Sequence, residues 1–177
     1  MKYVKQLAAL AALSLALVPG AKAVPTTVIQ GDITFTGTLQ LKTNGSPASN
    51  MLTSNLAEFV SGTWTVDPAG GSTGDYAALT GAAVTFGVST VSTIEGTYST
   101  PITPFWTVVS GGNTYTFDMA SYSVDRTPNT LPSGAGNKSI SWSGTGTATG
   151  TGFLSNNQAV WSMIISQTSA TNQVTLT

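Results

Sequence analysis

Residues 105–119 read Phe-Trp-Thr-Val-Val-Ser-Gly-Gly-Asn-Thr-Tyr-Thr-Phe-Asp-Met, and this stretch decides the fold class. Phe105 to Val109 is nearly unbroken apolar, as in a strand covered on both faces. Tyr115, Phe117 and Met119 alternate with Thr114, Thr116 and Asp118, the period-two pattern of a strand with one buried and one wet face. Between them lies Ser110-Gly111-Gly112-Asn113, turn chemistry short enough to close a β-hairpin.

The same period runs outward in both directions. Ile33, Phe35, Leu39 and Leu41 alternate with threonines and Gln40. Val60, Trp64 and Val66 share one parity, as do Val84, Phe86 and Val88. Ile140 and Trp142 are followed at the same parity by Gly144, Gly146 and Ala148. Thr, β-branched and polar, suits the solvated side of a pleated sheet. Val160 to Ile165 (Val-Trp-Ser-Met-Ile-Ile) reads as a second strand buried on both faces. Asn44-Gly45-Ser46-Pro47, Asp67-Pro68-Ala69-Gly70-Gly71, the longer loop Thr127 to Gly136 with its two prolines and Asn156-Asn157 punctuate these runs. Turn signals recur about every 8–15 residues, which predicts an all-β antiparallel sandwich of about eight to ten strands with Greek-key or jelly-roll connections. Ala48 to Val60 is the one helix candidate, with Ser54 or Asn55 as a cap; Gly74 to Leu79 reads as a turn or short helical excursion.

Residues 1–23 have the form of a secretory signal peptide. Lys2 and Lys5 precede the apolar run Leu7 to Val18, Pro19-Gly20 breaks it, and Ala21-Lys22-Ala23 is a small-x-small cleavage site. The run is too short to cross about 30 Å of hydrocarbon. Cleavage after Ala23 takes three of the six basic residues, leaving three against seven acids and a net charge of −4. The expected product is one exported domain, residues 24–177, with no membrane span. A domain of about 150 residues buries about 68–70% of its unfolded surface, enough to stand without disulfides.

The chain has no cysteine and no histidine, and 7% of its residues are charged. Thiolate and Ser-His-Asp catalysis and His/Cys zinc sites are thereby excluded, and three basic residues cannot make a nucleic-acid footprint. The acids after residue 23 are Asp32, Glu58, Asp67, Asp75, Glu95, Asp118 and Asp125. A glycosidase opposes two carboxylates across the scissile bond. No spacing here pairs any two, and most, including Asp67, Asp75 and Asp125, adjoin turn residues. No D-x-[DN]-x-[DN]-G calcium loop occurs. The expectation is a non-enzyme with no cofactor, no metal and no catalytic residue. Trp64, Trp106, Trp142 and Trp161 lie within apolar runs and read as core, whereas Tyr76, Tyr98 and Tyr122 are the candidates for exposed aromatics. Ser139 to Gly152 (SISWSGTGTATGTG) reads as a strand whose small inward residues lie under bulky neighbours, in preference to a threonine face matched to a crystalline surface such as ice.

Several motifs recur in order: Ile33 to Leu41 (ITFTGTLQL), Phe59-Val60-x-Gly62-x-Trp64-x-Val66, Gly74-Asp75-Tyr76-Ala77 and Pro104-Phe105-Trp106-x-Val108. Tyr115-x-Phe117-Asp118-Met119, Ser143-Gly144-Thr145-Gly146-Thr147 with Gly152-Phe153, and Val160-Trp161-Ser162-Met163 follow. This order resembles secreted proteins of the PEP-CTERM class of exopolysaccharide-producing, Verrucomicrobia-like bacteria. The resemblance implies a non-catalytic, structural or adhesive role at the cell surface or in the extracellular matrix, with exopolysaccharide or other surface proteins as partners. The C-terminal sorting motif, apolar helix and basic tail of that class do not occur in Gln173 to Thr177, so a freely released or truncated form is expected. Gly31 to Gly37 (GDITFTG) is similar to the opening strand of chaperone–usher pilins, which implies strand exchange in trans. Two alternatives therefore stand beside the matrix role: a carbohydrate-binding module and a strand-exchanging pilus or filament subunit.

Overall fold

The computed structural model describes residues 25, 27–48, 50–127, 138–155, 157–167 and 174–176. The signal-peptide reading of residues 1–23 and the loop expected over Thr127 to Gly136 lie outside the described residues, except that Thr127 is strand, paired with Ser139, and not loop. The chain is all-β and sandwich-like. In order, the strands are β1 (Phe35–Thr36), β2 (Leu39–Thr43), β3 (Ser46–Pro47), β4 (Leu56–Phe59), β5 (Thr65–Val66), β6 (Val84–Phe86) and β7 (Thr90–Ser92). They continue with β8 (Gly96–Tyr98), β9 (Ile102–Ser110), β10 (Asn113–Thr127), β11 (Lys138–Gly150), β12 (Asn157–Gln167) and β13 (Val174–Leu176). The thirteen strands among the described residues exceed the expected number because several runs are cut by Gly and Pro into pieces of two or three residues.

All pairings are antiparallel. The large sheet has the order β13-β12-β11-β10-β9-β6, and β8 pairs the far half of β10. Its last five strands form a meander that grows from the β9–β10 hairpin. Gly111 and Gly112 (φ 58° and 80°) close that hairpin in the left-handed region, where glycine carries no steric penalty. The second sheet has the order β3-β2-β4-β7. β1 pairs β5, and the Thr65↔Ala83 bridge joins β5 to the segment entering β6. The large sheet is thereby prolonged until β1 comes to face β12.

One hydrophobic core lies between the layers. Phe59 of β4 stacks on Phe86 at 4.2 Å and meets Phe105 edge-on at 5.8 Å, while Phe35 of β1 meets Trp106 at 5.3 Å. The two-sided burial expected of Phe105 to Val109 is not found: Phe105 and Trp106 are both buried in the one core, beside a shift in the β9–β10 register, but Val109 is 61% exposed. The same expectation also fails for β12. Ala159, Trp161, Met163 and Ile165 face the core, but Val160 and Ile164 point outward and are exposed. Nothing among the described residues covers the outer face of β12.

The helix candidate over 48–60 shortens to a 3₁₀ turn at Met51–Thr53. Its cap is Asn50, whose side chain accepts from the Leu52 N–H at 3.0 Å, and not Ser54 or Asn55. The rest of the segment becomes β4, because Ala57 and Phe59 on one parity belong to the core. Gly74–Leu79 is a second 3₁₀ turn. No helix among the described residues is long and apolar enough to cross a membrane.

Candidate functional site

Two surfaces merit description as sites. The first is a groove of about 1490 Å³ between the β1 segment and β12. One wall is Gly31 to Gly37, and the opposite wall carries Ala159 to Met163 with Ser143, Gly144 and Thr145. Half-buried Phe35 and Trp161 contribute to its floor. A smaller hollow of about 360 Å³, bounded by Ile29, Gly31, Asn157 and Gln158, shares several of its residues and prolongs it.

Asp32 and Asp67 both reach this groove, but they stand on one wall. The Asp67 N–H donates to the Thr34 carbonyl at 2.9 Å, and Asp67 Oδ1 accepts from the Ala69 N–H at 2.9 Å. The opposite wall offers hydroxyl and apolar groups and no acid. Two carboxylates on one wall do not flank a substrate bond, which is what acid-assisted glycoside cleavage requires. The other acids are dispersed. Asp75 Oδ2 accepts from the Gln30 N–H at 2.8 Å, and Glu58 pairs with Lys42 at 2.7 Å. Asp118 and Asp125 lie within β10, so Asp125-Arg126 is strand and not turn. No group of three acids that could hold a metal ion occurs among the described residues.

The second surface is the outer face of the large sheet, whose register aligns hydroxyl side chains across strands. Thr85, Thr107, Thr116 and Thr149 form one rank over β6, β9, β10 and β11. Thr97, Ser123, Ser143 and Ser162 form another over β8, β10, β11 and β12. Neighbouring hydroxyls bond within these ranks, as in Thr97 Oγ1 to Ser123 Oγ at 3.2 Å and Thr116 Oγ1 to Thr149 Oγ1 at 2.5 Å. Members of a rank stand about 4.7–4.9 Å apart, the strand spacing of any sheet. Ser121 with Thr145, and Asp118 with Thr147 and Gln158, extend the polar array.

The tyrosine expectation is corrected. Tyr76 is only 5% exposed, set between Trp106 and Tyr115. Burial, reinforced by Asp75 and then Tyr115, pushes its hydroxyl pKa up to about 12. Tyr122 is buried too, its hydroxyl accepting from the Ser92 N–H at 3.3 Å, and burial raises its pKa despite that bond. Tyr98 stacks on Tyr122 at 4.7 Å and is held by Ser92 Oγ and the Ile94 carbonyl. These rings pack and do not present faces to a sugar. Trp64, Trp106 and Trp142 are buried as expected, while Trp161 is half-buried beside the groove. The Trp142 indole N–H donates to the Ser92 carbonyl at 2.7 Å, whereas the buried Trp64 and Trp161 N–H groups have no partner.

Arg126 went unmarked in the sequence. From β10 its guanidinium reaches the β7 end of the second sheet, donating to the carbonyls of Leu52 (2.9 Å), Ser54 and Thr93, and to Thr93 Oγ1 (3.0 Å). Burial lowers its pKa from the usual guanidinium value. Its sole sequence signal is a lone positive charge in a run where Tyr122 and Val124 share its parity. Arg126 thus serves as a clasp between layers and is unavailable to an anionic ligand.

No family model matches the chain, and neither a curated protein nor a solved structure is found similar to it.

Proposed function

We propose that this is a non-catalytic, exported component of the cell surface or extracellular matrix that acts through the outer face of its large sheet. The observation that carries this reading is the pair of four-strand hydroxyl ranks, Thr85-Thr107-Thr116-Thr149 and Thr97-Ser123-Ser143-Ser162. Neutral donors and acceptors in register suit a neutral, hydroxyl-bearing polymer such as an exopolysaccharide, where many weak polar contacts add over an area. The export pattern of residues 1–23 and the resemblance to the PEP-CTERM class agree with this reading.

Co-sedimentation with insoluble neutral polysaccharide tests it. Thr85 and Thr97 are exposed, one in each rank and neither lining the groove, so Thr85→Glu with Thr97→Glu leaves the core untouched and places two charges in the array. The expected result is binding by the parent protein and at least tenfold weaker binding by the double variant. Equal binding by both would remove the outer face from the mechanism.

The carbohydrate-module alternative is favoured by one observation, the groove with Phe35 and Trp161 beside hydroxyl-bearing walls. It predicts that Trp161→Ala, and not the outer-face variant, abolishes polysaccharide binding. The filament alternative has a cost to meet, since residues 27–34 already bond within their own molecule. Thr73 N–H donates to the Asp32 carbonyl at 2.9 Å, Asp75 N–H to Gln30 and Leu154 N–H to Thr27.

A further inference from the structure

We infer that Asp118 and Asp125 set the charge specificity of the outer face, so that it takes a hydroxyl polymer bearing amines before a plain neutral one and turns away one bearing acidic groups. The inference rests on the reading of that face as the polymer-binding surface. Positions 118 and 125 differ in parity, so an unbroken β10 would point one of the two into the core. The register shift between Met119 and Ser121 brings both outward. Asp118 opposes Thr147 and Asp125 opposes Ser141, while Phe117, Met119 and Val124 beside them stay buried. The two carboxylates stand about 20 Å apart along the strand, with Ser121 and Ser123 between them. Asp118 is half-buried and Asp125 is exposed.

Neither carboxylate is used by the fold. Glu58 is paired with Lys42, and Asp67 and Asp75 accept backbone N–H groups. Asp118 and Asp125 have no hydrogen-bond or ionic partner among the described residues. Asp is also disfavoured within strands. A local rule broken with no compensation inside the structure marks a position kept for function.

No cation of the chain neutralises them. Every charged side chain beyond residue 23 is among the described residues, and three of these are basic. Lys42 is bound to Glu58 in the second sheet, Arg126 is turned inward as the clasp, and Lys138 shares the parity of buried Ile140 and Trp142. The otherwise neutral face therefore carries two bare negative charges. The hydroxyl ranks bond to polymer hydroxyls whatever the polymer's charge. A polymer ammonium beside Asp118 or Asp125 adds a charge-assisted bond, whereas a polymer carboxylate there meets like charge and no base. Two unit charges about 4 Å apart in water change an equilibrium by about fivefold. Screening over about 8 Å at physiological salt confines the effect to charges at the contact, and not to the net charge of the chain.

Co-sedimentation at mildly acidic pH and physiological salt tests this with three insoluble forms of one polymer: chitin, partly deacetylated chitin and lightly carboxymethylated chitin. The parent is expected to bind the amine-bearing form about tenfold or more tighter than the acidic form, with chitin between them. Asp118→Asn with Asp125→Asn should shrink that spread to within about threefold and leave chitin binding little changed. Asp67→Asn with Asp75→Asn removes as much charge from residues outside the strands of the large sheet, and each Asn can still accept its backbone N–H, so the full spread should remain. Raising the salt should erase the spread and spare chitin binding. A spread that is absent from the parent, that survives the loss of Asp118 and Asp125, or that falls equally in the Asp67 and Asp75 variant overturns the inference and leaves the polymer-binding reading standing. Binding to none of the three forms overturns that reading and the inference with it. Unchanged urea midpoints of both double variants tie the differences to charge.

Discussion

Arg126 shows what one residue contributes to this fold. Its guanidinium spreads four hydrogen bonds over Leu52, Ser54 and Thr93, all distant in sequence. Bonds from a charged donor are worth about 1.5–3 kcal/mol each, and removing the donor leaves acceptors stranded in a partly buried position. Arg126→Met is expected to destabilise the protein by about 2–4 kcal/mol, read as a lower urea midpoint with unchanged slope. Arg126→Lys should recover little of the loss, because a compact ammonium cannot span three separated acceptors as the planar fork does. A loss below about 0.5 kcal/mol for Arg126→Met would show the clasp to be dispensable. The tyrosines show where residue-level reading fails. Tyr122 sits among polar neighbours and reads as exposed, yet one extra residue upstream turns it inward.

That extra residue belongs to the scale of elements. The β10–β11 register shifts between Met119 and Ser121, leaving Ala120 without a counterpart. Before the bulge Tyr115, Phe117 and Met119 face the core; after it Tyr122 and Val124 do. Alternation identifies each half of β10, but the join is invisible without the partner strand, because a one-residue slip reverses the faces. The Gly-Thr run of β11 was more legible. Its reading as a strand with small inward residues matches the structure: a Cβ on Gly144 would lie 2.3 Å from both the Ser121 carbonyl oxygen and Trp161 Nε1, and one on Gly146 2.6 Å from the Phe117 ring. Gly144→Ala therefore tests packing against propensity. In an unconstrained strand Ala is favoured over Gly by about 0.5–1 kcal/mol. Here the substitution is expected to destabilise by about 1–3 kcal/mol, because backbone on one side and an indole on the other must move. Thr145→Ala, on the outer face, should stay within about 0.5 kcal/mol by chemical denaturation. A stabilising Gly144→Ala would contradict the close approach.

At the scale of the molecule, fold class was legible and the sites were not. Period-two patterning, the Gly-Gly hairpin and the turn spacing all point to antiparallel sheets, and those signals are local. The hydroxyl ranks and the groove depend on register between distant segments, such as Thr85 with Thr107 and Gly31 to Gly37 facing Ala159 to Met163. No single run carries that information. β12 was misread for the same reason: Val160 and Ile164 look like core until the layer that should cover them proves to lie elsewhere. The whole molecule thus has few ionised groups, acids that are dispersed or share one wall of the groove, and a wide neutral exterior.

The central claim is that this exterior holds a neutral polymer without altering it. The most direct measurement incubates the protein with neutral polysaccharide and reads bound protein and released reducing ends together, for the parent, Asp32→Asn and Asp67→Asn. The account predicts binding by all three and no release above the protein-free blank. Release by the parent that disappears in either variant would contradict it.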